Sequence, residues 1–177
     1  MKLFIKLILK IKKILNWKLS SKDKYLFNFL GKGDIAIDCG ANIGDVTELL
    51  SKNGTTVYAF EPNPYAFEVL NKRFDNRRTN IICKMKAVGI KDHEADLFFH
   101  ENSGQDEVYW STGSSLLSEK PNVSSNSSVK TEVIDLAHFI KSLNRNVKLI
   151  KIDIEGAECE LLDYLIDNGV INDIEIV

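Results

Sequence analysis

Three short apolar segments of this chain each end in an acidic residue followed by a glycine or proline turn. They are residues 34–44 (DIAIDCGANIG), 56–64 (TVYAFEPNP) and 147–158 (VKLIKIDIEGAE). Short runs of β-favouring residues bounded by turn residues read as buried strands. Helical patterns over 42–53, 64–74, 135–143 and 156–168 alternate with them. This alternation specifies an α/β fold of the Rossmann-like, doubly wound kind, with a mostly parallel sheet covered on both faces. Ligands in such sheets bind beyond the carboxyl ends of the strands, near the switch in strand order. The residues ending those strands are therefore the candidate site.

The remaining segments fill in the frame. Residues 80–83 begin a third strand, and 129–134 form another. Residues 95–100 and 106–110 predict a hairpin around the polar ENSGQ, and 118–128 (SEKPNVSSNSS) predict a mobile loop. The polar stretch 100–128 is long enough to cover a site as a lid or acceptor-recognition loop. The last residues, 173–177 (DIEIV), read as a strand.

A length of 177 residues fits one domain with a real core, and a net charge of −2 argues against nucleic acid as a partner. The charge is uneven. Residues 1–24 carry eight lysines against one acid, and the rest of the chain is acidic. This divides the chain into a basic, amphipathic helical arm (1–24) and an α/β domain (25–177). In the arm, Lys2, Lys6, Lys10 and Lys13 share one helical face opposite a broad apolar one. Its apolar runs are too short to span a bilayer. Residues 1–18 therefore either lie on an anionic membrane surface or pack on their own domain. Cys39, Cys83 and Cys159 form no closely spaced pair and read as buried, reduced thiols, which predicts a cytoplasmic protein, peripheral on the inner face of the membrane if the arm binds lipid. Neither they nor His93, His100 and His138 have metal-ligand spacing, so no metal is expected.

At the first strand end, Asp38 is placed to meet a cationic amino group. Gly40 and Gly44 bring backbone close to a ligand, and Asn42 reads as the cap of the next helix. Free N–H groups at a helix start favour a carboxylate or phosphate. At the second, Pro62 keeps Glu61 extended, while Asn63 and Pro64 start the next helix. An acid there can accept hydrogen bonds from both ribose hydroxyls. The two turns together imply a nucleoside carrying an amino-acid-like group. A dinucleotide site is the nearest rival, but Asn42 stands where G-x-G-x-x-G needs its second glycine. At the third strand end, Asp153 and Glu155 can orient or deprotonate a hydroxyl, and Glu158 suits the start of the following helix. His100 and His138 are lesser candidates for the base.

In the order DIAIDCGANIGDVT (34–47), VYAFEPNP (57–64), AVG (87–89), TGSSLL (112–117) and IKIDIEGAE (150–158), the chain resembles the FkbM-type methyltransferases, over roughly residues 30–177. These are class I S-adenosylmethionine-dependent enzymes. The resemblance implies O-methylation of a hydroxyl on a sugar, glycan or related small molecule, with S-adenosylmethionine as cofactor. It implies that Asp38, Gly40, Asn42, Gly44 and Glu61 line the cofactor site, that Ala87 and Val88 lie near the adenine, and that Asp153 and Glu155 face the methyl-transfer centre. Members of the family continue past the DIEIV segment with further strands, so the resemblance implies a core truncated after its fifth strand. Two readings follow: an active enzyme, or a non-catalytic remnant that pairs with another subunit through residues 1–20 or the exposed DIEIV edge.

Overall fold

The computed structural model describes residues 27–74, 79–119, 121 and 123–177. The arm over 1–24 lies outside the described residues. Numbered along the chain, the strands are β1 (Ile35–Cys39), β2 (Thr56–Phe60), β3 (Ile81–Lys84), β4 (Ala87–Gly89), β5 (His93–His100), β6 (Val123–Asp135), β7 (Val147–Ile152) and β8 (Ile174–Ile176). The α-helices are α1 (Asp45–Leu50), α2 (Pro64–Phe74), α3 (Leu136–Ser142) and α4 (Glu158–Asp167).

β1 is buried along its whole length, as a central parallel strand must be. It pairs in parallel with β2 on one side and β7 on the other. The main sheet has the order β3-β2-β1-β7-β8. The chain moves outward from β1 to β3, then restarts beside β1 at β7, so the strand order reverses between β1 and β7.

Alternate residues serve opposite faces of this sheet. Ile35, Ile37 and Cys39 pack with Leu136 and Ile140 of α3 and Leu161 and Leu165 of α4. Ala36 faces the other way, into a cluster with Leu50 of α1, Val57 and Leu149. Leu70 and Phe74 of α2 cover Ala59 on that same face. Burying each such leucine or isoleucine contributes about 1.5–3 kcal/mol. Asp38 shares the face of Ala36, so it is directed at α1.

α2 follows its local signals. Asn63 Oδ1 accepts from the N–H groups of Tyr65 (2.9 Å) and Ala66 (3.3 Å), and Pro64 opens the helix. α1 departs from expectation and begins at Asp45. Gly40, Asn42 and Gly44 all have positive φ, at 76°, 50° and 92°, and helix cannot propagate through such residues. The cap is Gly44, and no side chain caps this helix.

A second sheet, β4-β6-β5, is inserted between β3 and β7. The expected hairpin over 95–110 does not form. β5 pairs antiparallel with β6, and residues Tyr109–Gly113 form a 3₁₀ turn. Asp106 Oδ1 starts that turn by accepting from the N–H groups of Val108 (3.1 Å) and Tyr109 (2.8 Å). The expected loop over 118–128 is also corrected, since β6 already begins at Val123 and His100 is opposite Val123. The DIEIV segment is a strand as expected, paired to β7 at the sheet edge. The three thiols are free, Cys39 buried, Cys83 half-buried and Cys159 exposed, so the expectation of burial fails at Cys159. Among the described residues no helix is long and apolar enough to cross a membrane.

Candidate active site at the carboxyl ends of the strands

The turns after β1, β2 and β7 meet at the strand-order reversal and wall a cavity. Gly40, Asn42, Glu61, Ala87, Val88, Asp153 and Glu155 all line it. Asp38 and Gly44 are absent from its lining.

Gly40 is required by the chain itself. A Cβ on it would stand 1.9 Å from the Asp153 carbonyl oxygen. β1 and β7 come together here, with Asp153 N–H donating to the Cys39 carbonyl at 3.1 Å. The close approach expected for a ligand is made by the chain's own backbone. Gly44 serves packing, since a Cβ there would meet Phe74 at 2.5 Å and Leu70 at 2.7 Å.

Asp38 has no exposed surface. Its Oδ2 accepts from the Thr47 hydroxyl of α1 at 2.7 Å. Its Oδ1 faces the Lys151 ammonium at 3.1 Å as a charge contact. Lys151 is the residue opposite Asp38 in the β1–β7 register. Its ammonium also donates to the carbonyls of Gly40 (2.5 Å) and Cys39 (3.3 Å). Burial pushes the ammonium toward neutrality, but the carboxylates of Asp38 and Asp153 outweigh it and hold Lys151 above the usual lysine range.

Glu61 is also buried, at 6% exposure. Oε2 accepts from Asn42 N–H at 2.7 Å and Oε1 from Asn63 N–H at 2.8 Å. A carboxylate has about four lone-pair positions, so each oxygen keeps one for a further donor. Burial raises the carboxyl to about 7, against the pull of the two N–H groups and Lys151. Asn42 is not the helix cap expected of it. Its backbone is left-handed and its side-chain amide donates to Ser111 Oγ at 2.8 Å.

After β7, Glu155 has a φ of 61°, unusual for a residue with a side chain. Its carbonyl accepts from Ser115 Oγ at 3.0 Å. Glu158 plays its expected part at the start of α4, accepting from the N–H groups of Ile154 (3.3 Å) and Gly156 (3.0 Å). Ala87 and Val88, on β4, form an apolar wall. His100 and His138 are not in the lining; His100 stacks on Trp110 with ring centres 4.4 Å apart.

The residues missed from sequence include Lys86, Leu97, Ser111, Ser114 and Ser115 in the lining and the buried Lys151. The TGSSLL motif (112–117) was the signal for Ser114 and Ser115, Ser111 directly precedes it, and Lys151 stands out as a lysine within an apolar strand.

This strand order is that of the α/β fold of class I methyltransferases. Residues 38–177 match the family described as the methyltransferase FkbM domain, and the chain belongs to that family. No curated protein matches the chain in sequence. Among solved structures, an rRNA methylase of Streptococcus thermophilus is 23% identical, with a TM-score of 0.32 and 36% of each chain covered. A Streptococcus mutans protein in complex with SAH is 25% identical, with a TM-score of 0.33, covering 37% of this chain and 38% of that one. A precorrin 8w decarboxylase of Methanobacterium thermoautotrophicum is 24% identical, with a TM-score of 0.31, covering 37% and 38%. The matched part thus spans under two-fifths of the length of each of these structures.

Proposed function

We propose that the chain binds S-adenosylmethionine and methylates a hydroxyl group, on a sugar, glycan or related small molecule. The observation that carries this reading is the Glu61 carboxylate. It is buried at the strand-order reversal, fixed by two backbone N–H groups, and keeps acceptor positions suited to the two hydroxyls of a ribose. The apolar wall of Ala87 and Val88 suits an adenine, and the Gly40–Asn42 turn suits the amino-acid end.

When bound, the cofactor supplies an electrophilic methyl on a sulfonium. The chain's own part is orientation, exclusion of water and proton removal. Alignment of reacting groups can supply about 7–11 kcal/mol of the barrier. Asp153 and Glu155 are the candidates to take the hydroxyl proton, since both line the cavity beside Gly40. Asp38 enters this reading as a support: with Lys151 it holds the Gly40 turn from below. The acidic domain and three free thiols support a cytoplasmic location, with residues 1–18 as a peripheral membrane contact.

The test is calorimetric titration of the full chain with S-adenosylhomocysteine, with NAD as control. Micromolar binding that is lost in Glu61→Ala, with NAD inert, is expected. Methyl transfer to hydroxyl acceptors should then fall by about 10²–10⁴ in Asp153→Asn or Glu155→Gln while the cofactor still binds. A folded chain that ignores S-adenosylhomocysteine overturns the proposal.

A further inference from the structure

Each backbone N–H that grips Glu61 belongs to an asparagine, and each asparagine is held from outside by a serine. Asn42 donates its N–H to Glu61 Oε2 (2.7 Å) and its Nδ2 to Ser111 Oγ (2.8 Å). Asn63 donates its N–H to Glu61 Oε1 (2.8 Å) and its Nδ2 to Ser114 Oγ (3.0 Å). Asn63, Ser111 and Ser114 are 1%, 5% and 9% exposed, so water competes little for these bonds. The Ser111 hydroxyl spends its proton on the Val108 carbonyl at 2.6 Å, which leaves it an acceptor for Asn42. Ser115, next in the same segment, reaches the Glu155 carbonyl. One short segment, residues 111–115, therefore touches the turns after β1, β2 and β7.

We propose that Ser111 and Ser114 are positioning residues, which hold Asn42 and Asn63 so that both N–H groups stay on Glu61 and which thereby couple segment 111–115 to the cofactor site. The ligand side of this inference rests on the reading of Glu61 as a ribose acceptor; the clasp itself does not. Replacing both hydroxyls removes the acceptors of the half-buried Asn42 NH₂ and the buried Asn63 NH₂ and loosens both turns, although Asn63 Oδ1 keeps its two donors from α2. The N–H groups then support the Glu61 anion less, and its neutral form gains. The other charges around Glu61 stay in place: Asp38 on β1 raises its pKa, Lys151 on β7 lowers it, and Lys86, Asp153 and Glu155 line the same cavity.

The experiment is a ¹³C NMR titration of the Glu61 carboxyl in the full chain, free and with S-adenosylhomocysteine. The native chain is compared with Ser111→Ala/Ser114→Ala and with Ser114→Thr, which keeps the hydroxyl. The double alanine variant should titrate about one pH unit higher, and its ligand binding at pH 7 should weaken by about fivefold, because Glu61 is already half protonated there in the native chain. Ser114→Thr should titrate like the native chain. An unshifted midpoint in a folded double variant overturns the inference, as does weaker binding by the same factor at every pH. If the double variant does not fold, the single alanine variants carry the same comparison with smaller shifts. A native chain that titrates as described and ignores S-adenosylhomocysteine overturns the cofactor reading and leaves the clasp to be judged on the free-state titration.

Discussion

Lys151 stands directly opposite Asp38 across the junction of β1 and β7, and the two form a buried ion pair with 3.1 Å between Nζ and Oδ1. The pair lies where the strand order reverses, under the turn that carries Gly40 and Asn42. Removing one member leaves an uncompensated charge in the interior. Lys151→Met should therefore cost about 3–5 kcal/mol. Lys151→Met/Asp38→Asn should recover part of that loss, because no bare charge remains. Urea unfolding of the native chain and the two variants checks this, and a loss below about 1 kcal/mol for Lys151→Met would contradict it.

Gly40→Ala tests the contact between the two strand ends. The new methyl would sit 1.9 Å from the Asp153 carbonyl oxygen, on a residue with a φ of 76°. The positive φ costs about 1–2 kcal/mol for a residue with a side chain, and relief of the clash adds to it. A total above about 2 kcal/mol is expected from the unfolding midpoint, together with lost binding of S-adenosylhomocysteine. A variant as stable as the native chain would refute the close approach.

Glu61 makes stability depend on pH with a definite sign. Its carboxyl is raised from 4.5 to about 7 in the folded chain. Between these values the unfolded chain binds fewer protons than the folded one, so this group's contribution falls as pH rises from 4.5 to about 7 and is lost above it. The loss is on the order of 3 kcal/mol. A Glu61→Gln variant should lack this part of the slope in melting curves taken from pH 5 to pH 8. A slope identical to that of the native chain would show that Glu61 titrates in its ordinary range.

Asp135 does two jobs at the end of β6. Oδ1 caps α3 by accepting from His138 N–H at 2.9 Å, and Oδ2 accepts from the Tyr164 hydroxyl of α4 at 2.7 Å. Asp135→Ala should cost about 1–2 kcal/mol. Tyr164→Phe should cost less, since it keeps the cap. Equal losses in the two variants would place the whole effect in the bond between helices.

Elements with local determinants were legible in the sequence. β2 and α2 lie where their residues place them, because β-formers, Asn63 and Pro64 act within a few positions of themselves. The turns ending β1, β2 and β7 were recognisable as site-forming by their acids and glycines. Contacts distant in sequence decided the rest. Asn42 has the chemistry of a helix cap, but its amide bonds Ser111, 69 residues away. Ser124 and Ser128 have loop composition, yet antiparallel pairing with β5 draws that segment into β6. The aromatic residues Tyr109 and Trp110 favour strand, and the Asp106 carboxylate coils them instead. Lys151 and Asp38 were both visible, but their pairing depends on the register between two strands distant in sequence, which composition does not encode.

The inserted sheet has a consequence for how such a chain can diversify. Strands β5 and β6 and the 3₁₀ turn between them form one continuous excursion of the chain, and they supply Leu97 and Ser111–Ser115 to the cavity wall while the strands of the main sheet pair only with one another. Mutation can therefore reshape what the cavity admits within residues 93–128 and leave the parallel scaffold as it was. The clasp on Asn42 and Asn63 limits that freedom. A descendant that redesigns the excursion must keep two hydroxyls facing two asparagines, so inheritance here is free in length and outline but constrained at two points.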